Sequence, residues 1–409
     1  MKHSRAPSFV EFVALMALMM GISSMSIDNM LPAFDAIASE FAIEDNRIQL
    51  VVYAYLFGFG AMQLVYGPIS DTAGRRSVVL CGLAVFSLGS LLAVFASSFE
   101  LMLAARVVQG MGAAACRILA TAIVRDRYEG REMARVMSLT MMVFIIVPVI
   151  APAIGSFFLL FGSWHYIFIS TFAVGLILAL WFGLRMPETL HPDHRQDFSI
   201  GRVLGGFRRT IGTRISLGYA AGAALMMGCL MAYVGGAQQI LETDVYGLGP
   251  LFPVAFGSIA AAMGIGALIN SRLVRRYGTR RLSHGALCCN IAISAAVIPL
   301  AILFDGKPPL LLFCAWIALA HFFFSLTLPN FNAMAMQPLG DIAGTASSFV
   351  GFFTTVVGAL CGLVVGQAFD GTVLPLAIGF FVLNGAGLAI VVWTEGGRLF
   401  KPHQADPRD

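Results

Sequence analysis

Charge is what this sequence most conspicuously lacks. Only 12% of its 409 residues are Asp, Glu, Lys or Arg, about half of the roughly 25% found in soluble domains, too little to cover an aqueous surface. Lysine occurs three times, at Lys2, Lys307 and Lys401. None lies in a glycine-rich Walker A loop, so nothing reads as an ATP-driven motor. H-E-x-x-H and G-x-S-x-G are missing, and no paired catalytic acids fall within the apolar stretches, which argues against an enzyme. The seven cysteines (Cys81, Cys116, Cys229, Cys288, Cys289, Cys314 and Cys361) sit in or beside apolar stretches and show no C-x2-C spacing. They read as small buried hydrophobes, with no metal or cofactor expected. The net charge of +4 is too mild for a nucleic-acid footprint.

What the chain has instead is apolar length. It is 58% hydrophobic with a mean hydropathy of +0.83. A spanning helix needs about 20 mostly apolar residues, and twelve such segments can be marked. Six fall at 9–32, 48–69, 77–97, 101–124, 136–160 and 164–186, and six more at 213–239, 251–272, 282–304, 309–330, 343–367 and 372–394. The first of these, from Phe9 to Leu31, reads as a span and not as a cleavable signal, for no A-x-A-like site follows it.

The positive-inside rule tests that count independently. With the N-terminus cytoplasmic, Arg47 and Lys307 are the outside bases, against acids that include Asp35, Glu40, Glu100, Glu242 and Asp370. The inside segments collect Arg75 and Arg76, the cluster Arg125 to Arg135, the stretch Arg185 to Arg214, and Arg272 to Arg281. The expectation is an all-α polytopic membrane protein of two six-helix bundles, residues 1–186 and 213–409, joined by a cytoplasmic linker at 187–212 with both termini cytoplasmic. An internal echo supports two related halves. The loop after span 2 reads Gly67-Pro-Ile-Ser-Asp71-Thr-Ala-Gly74-Arg75-Arg76, and the loop after span 8 reads Ser271-Arg-Leu-Val-Arg275-Arg-Tyr-Gly278-Thr-Arg280-Arg281.

An ionisable group inside a span is costly and therefore a functional candidate. Four stand out: Asp28 in span 1, Arg106 and Arg117 in span 4, and His321 in span 10. At 1.5 Å per residue, Asp28 lies about 24 Å beyond Phe12, in the outer half of the membrane, and Arg106 about 8 Å below the outer end of span 4. Arg117 is about 16 Å deeper than Arg106 on the same face. A carboxylate beside a buried arginine is an ion pair that a proton can break. Spacing leaves two readings open: proton coupling, or a static pair locking spans 1 and 4. His321, beside Phe322 to Phe324, reads as a packed or hydrogen-bonded residue. Pro148, Pro152 and Gly155 share roughly one face of span 5, and Gly358, Gly362 and Gly366 form a small-xxx-small ridge in span 11.

At these residues the sequence resembles the major facilitator superfamily over essentially its whole length. The Gly67-to-Arg76 motif is similar to the family's loop 2–3 signature, Arg106-Val-Val-Gln109-Gly110 to its span 4 motif, and Pro148-x3-Pro152-x2-Gly155 to the span 5 signature of exporters. Asp28-Asn-Met-Leu-Pro32 with Pro187-Glu188-Thr189 resembles drug/proton antiporters, in particular the Bcr/CflA drug-resistance group. The resemblance implies two bundles rocking about a central cavity. It implies a conformational latch of Gly67, Asp71, Gly74, Arg75, Arg76 and Asp126, in which Asp71 meets the start of span 11 near Gly344 to Ser347 and Arg75 reaches Asp126. It also implies Asp28 and Arg106 as the coupling pair. The departures are Asn29 and Met30, where the group has a tyrosine or similar residue, and Arg117, which lies outside the general motif and reads as neutralising a neighbour in preference to meeting an anionic substrate group.

The function expected from all this is secondary active, proton-coupled antiport: multidrug efflux of small amphipathic molecules, with antibiotic resistance as its outcome. The cavity is expected to be lined by Asp28, Tyr55, Arg117, Phe144, Tyr233 and His321. The implied partners are a small-molecule substrate, protons and the lipid bilayer of the inner membrane, around a monomer. A facilitator-fold importer of a nutrient or siderophore-type metabolite is the alternative.

Overall fold

The computed structural model describes residues 7–191, 195 and 199–401. Fourteen α-helices form among them, in chain order α1 (Phe9–Asp28), α2 (Phe34–Glu40), α3 (Leu50–Ala73), α4 (Arg75–Val94), α5 (Phe99–Arg127), α6 (Gly130–Leu159), α7 (His165–Arg185), α8 (Ile200–Gly212), α9 (Arg214–Gln238), α10 (Phe252–Tyr277), α11 (Thr279–Leu303), α12 (Leu310–Met336), α13 (Ala343–Gln367) and α14 (Leu374–Thr394). Large apolar side chains stand exposed along the flanks, among them Leu268 at 61% and Val364 at 71%. Such faces need lipid, because only a bilayer leaves them without a hydration penalty.

Eleven helical stretches among the described residues are long and apolar enough to cross a membrane, but one of them, Leu310–Gln367, runs for 58 residues. It is two spans. The 3₁₀ stretch Gln337–Ile342 interrupts it, with non-helical angles at Leu339 (φ −121°, ψ 28°). The chain is therefore a multi-pass membrane protein of twelve spans in two six-helix bundles, as the sequence led us to expect.

Local chemistry explains the boundaries. Ser8 caps α1 in a reciprocal box, accepting from the Glu11 N–H while the Glu11 carboxylate accepts from the Ser8 N–H. Ser98 caps α5 by accepting from the Leu101 N–H at 3.2 Å. The echo between the halves is structural. Gly74 (φ +91°) alone separates α3 from α4, and Gly278 (φ +77°) alone separates α10 from α11. Each turn requires a conformation that side-chain-bearing residues resist.

Two expectations are corrected. The motif residues Gly67 to Ala73 are the last turns of α3 and not a loop, and Ser271 to Tyr277 likewise end α10. Backbone hydrogen bonding continues past the apolar part of each helix until the left-handed glycine stops it. The linker, for its part, is not all loop: α8 packs on α13, with Arg209 paired to Asp341 and the Phe207 ring 5.6 Å from that of Phe349.

Candidate functional site in the central chamber

A chamber of about 240 Å³ lies between the bundles, and Asp28, Tyr55, Arg117, Tyr233 and His321 all line it. The side chain of Phe144 lies outside the described residues. Most of the remaining wall is apolar, including Ile27, Leu56, Met227 and Phe256.

Asp28 is the last residue of α1, where the helix gives way to a short 3₁₀ turn. The residue is 5% exposed, and its carboxylate accepts from the Ser24 hydroxyl, one turn back, at 2.7 Å. The span 5 signature places this corner. A Cβ on Gly155 of α6 would overlap the Asn29 carbonyl oxygen, so only glycine lets α6 close against the end of α1. Gly110 does the same on the other side, letting α5 touch the Tyr55 backbone of α3.

Arg106 does not pair with Asp28. Its Nε donates to the Val51 carbonyl at 3.1 Å and its Nη1 to Gln109 Oε1. Gln109 in turn donates to Ser90 Oγ at 2.8 Å, and Ser90 to the Phe86 carbonyl at 3.0 Å. The guanidinium lies 4.6 Å from the Tyr55 ring centroid, while the Tyr55 hydroxyl donates to the Ser23 carbonyl at 3.3 Å. Tyr55 thus touches the arginine with its face and α1 with its hydroxyl. The fully buried arginine is a clasp of α3, α4 and α5 made from neutral partners. The expected ion pair fails because equal depth does not fix the direction in which a side chain points.

His321 is buried and its Nδ1 hydrogen-bonds the Ile317 carbonyl at 2.7 Å, the packed arrangement expected of it. Tyr233 sets its ring edge-on to His321 at 5.0 Å and stacks on Phe256 at 5.8 Å, leaving its buried hydroxyl without a hydrogen-bond partner among the described residues. Arg117 lines the chamber and also a second space, a cleft of about 570 Å³ extending toward the end of the molecule that bears both termini.

At that end the motif residues form one cluster. Arg75 binds Asp71 at 2.6 Å, Asp126 at 2.9 Å and Ser70 at 2.5 Å. Among the described residues no hydrogen bond or ion pair joins Asp71 to the start of α13; Asp71 lines the same cleft as Gly344, Thr345 and Ser347. Gly67 does approach α13, for a Cβ there would come within 2.9 Å of Ser348 Oγ. Arg76 donates to the Gly183 carbonyl at 2.6 Å.

Glu188 belongs to this cluster, and its part in it was not foreseen. α4 has no side-chain cap of its own, because Gly74 precedes it. The Glu188 carboxylate supplies one from beyond α7, accepting from the N–H groups of Arg75 at 2.9 Å and Arg76 at 3.1 Å. The second half repeats the device with a side chain. Glu395, just after α14, accepts from Arg280 Nε in α11 at 2.8 Å and from the Tyr219 hydroxyl.

The opposite end is shut. Gln49 donates to Gln239 at 2.6 Å and to the Gly366 carbonyl at 3.2 Å. Gln239 donates to Asn46 at 3.1 Å, and Asn46 and Gln367 bind each other's backbone at 3.1 and 2.8 Å. Tyr53 reaches the Met231 carbonyl at 3.2 Å. Uncharged amides close this end from both bundles, and no pattern in the sequence marks them out from ordinary loop polarity. The structure is thus closed away from the termini and parted near them.

The comparisons agree with this architecture. The family model described as Major Facilitator Superfamily matches residues 16–363. An uncharacterised transporter of the same type from Bacillus subtilis, YdgK, is 31% identical over 90% of this chain and 91% of its own length. A Haemophilus influenzae protein named bicyclomycin resistance protein homolog is 28% identical over 89% of this chain and 91% of its own. Among solved structures, a bacterial homologue of the human lysosomal transporter Spinster superposes with a TM-score of 0.68 at 14% identity, covering 96% of both chains. Twelve spans, a glycine turn repeated in each half and a family match along most of the chain lead to one conclusion: this protein belongs to the major facilitator superfamily, and is a membrane transporter.

Proposed function

We propose that the protein is a proton-driven antiporter that exports small amphipathic molecules from the cytoplasm, through the cytoplasmic membrane and with both termini inside. The observation that carries this reading is Asp28. It is a carboxylate buried in an apolar chamber, held by one hydroxyl and, among the described residues, without a cation in ion-pair contact. Enclosing such a group in its ionised form costs several kcal/mol. An empty chamber therefore reorients readily only when Asp28 is protonated, while a bound substrate that offers the ionised carboxylate a hydrogen-bond donor relieves the same penalty. That difference is the logic of exchange. One charge crossing 100 mV supplies about 2.3 kcal/mol, enough to bias the cycle.

The distribution of arginines supports the orientation. Arg75, Arg76, Arg125, Arg127 and Arg185 sit at the end bearing the termini, whereas Arg47 and Lys307 are the bases of the other end among the described residues. The parted cleft then opens to the cytoplasm. We read 1–186 and 213–409 as the rocking units and 187–212 as their linker. The Asp71 latch would close onto α13 when the chamber faces outward. The relative named for bicyclomycin resistance favours an antibiotic-like cargo.

The test is efflux from everted vesicles energised by an imposed proton gradient, with a panel of amphipathic antibiotics that includes bicyclomycin. Wild type should show gradient-dependent transport. Asp28→Asn should remain inserted and lose it; full active efflux in that variant would refute the coupling assignment.

A further inference from the structure

α5 carries a feature that proton coupling leaves unused. Arg117, Thr121 and Arg125 recur at every fourth position, so they share a face and cover about 12 Å of helix. All three line the cleft, and Arg117 also lines the chamber. The row therefore runs from the chamber wall toward the open end, where α5 terminates at Arg127.

Among the described residues, the ionisable side chains lining the cleft are Asp71, Arg75, Arg117 and Arg125, three cations against one carboxylate. Arg75 is already engaged by Asp71 and by Asp126. Arg125 is exposed in the cleft and makes no ion pair among the described residues. The facing wall is polar and partly unsatisfied. Thr354 Oγ1, a hydroxyl able to donate, is buried without a hydrogen-bond partner among the described residues, and Thr354 lines the cleft. The first turn of α13 faces it too, with no side-chain cap on its N–H groups. A cleft with low-dielectric walls and an excess of one charge concentrates ligands of the opposite sign.

We propose that this cleft is an acceptance path for amphipathic acids, molecules with a carboxylate, sulfonate or phosphonate head on an apolar body. Arg125 draws the head in, Arg117 receives it at the chamber wall, and the body enters the apolar chamber. The Thr354 hydroxyl donates to the head during passage. The inference rests on the transport reading above and adds the substrate class to it.

A matched pair of ligands tests it: naphthalene-2-sulfonate and the uncharged naphthalene-2-sulfonamide, with binding measured on the full chain in nanodiscs and corrected with empty discs. The wild type should bind the sulfonate about ten-fold more tightly at low salt, with the preference shrinking as ionic strength rises. Arg125→Gln should slow sulfonate association about ten-fold while leaving sulfonamide binding in place, which also shows that the variant is folded. Arg125→Lys should restore the rate. Equal or weaker binding of the sulfonate by wild type overturns the proposal, as does an unchanged association rate in Arg125→Gln. Either result leaves Asp28-dependent efflux of uncharged amphipaths standing; loss of gradient-driven efflux for every amphipath strikes the transport reading instead.

Discussion

Replacing Gln49 by alanine should tilt the transporter toward the state in which the end remote from the termini is open. Gln49 donates two hydrogen bonds across the bundle interface, to Gln239 and to the Gly366 carbonyl, and it is fully buried. In the open state both acceptors and the amide would meet water, so each bond counts at its net value of about 0.5–1.5 kcal/mol. Losing two weakens the closed end by about 1–3 kcal/mol, a roughly 5- to 150-fold change in the ratio of the two states. Spin labels at the exposed positions Ser77 and Gln337, near the termini and one in each half, would report it by electron–electron distance measurement. The seven native cysteines would first be replaced. Wild type should show mainly the long distance of the parted cleft, and Gln49→Ala a marked gain in the short one. The Gln239→Ala change should produce a similar gain, and the double variant should show less than the sum, because the two residues share one bond. An unchanged distance distribution in Gln49→Ala would refute the idea that these amides hold the end shut.

Other expectations concern the end near the termini. Asp71→Asn should slow substrate exchange in proteoliposomes while leaving equilibrium binding intact; unchanged turnover would remove the latch. Glu188→Gln weakens the cap on α4 by replacing a charged acceptor, and should lower thermal stability in detergent by about 1 kcal/mol. For Glu395, burial alone would raise the pKa, but hydrogen bonds from Tyr219 and Arg280 and the charge of Arg280 outweigh it and leave the carboxyl below its ordinary value. Its stabilisation is therefore complete above the unfolded-state pKa and fades as pH falls through the lower native one. Acid titration of melting should show wild type losing stability in that range and Glu395→Gln losing less.

The outline of the fold could be read from residue types alone, because a bilayer imposes a length and a polarity on every span. The boundary between spans 10 and 11 was equally legible: Gln337-Pro338-Leu339-Gly340-Asp341 is too polar and too rich in helix breakers to continue an apolar helix, although helical hydrogen bonding nearly bridges it. Gly74 and Gly278 were legible as partners since both stand before basic pairs, and the structure gives the reason as a shared left-handed turn. The side chains that line the chamber were partly foreseen, Asp28, Tyr55, Arg117, Tyr233 and His321 among them. The role of Glu188 was not, since its carboxylate acts on backbone N–H groups more than a hundred positions earlier.

Sequence by itself determined the number of spans, the duplication and how far along its helix each buried charge lies. Distance along a helix accrues at a fixed rise per residue, so it needs no knowledge of neighbours. Only the tertiary structure decided which groups meet. Arg106 turned to Gln109, Val51 and the Tyr55 ring and away from Asp28 because the rotation of each helix about its axis is set by the glycines and side chains packed against it. The same packing left Arg125 facing an open cleft and joined Gln49 to Gln239 across the opposite end. Contacts between bundles depend on how the two halves lean together, and no local pattern of residues encodes that angle.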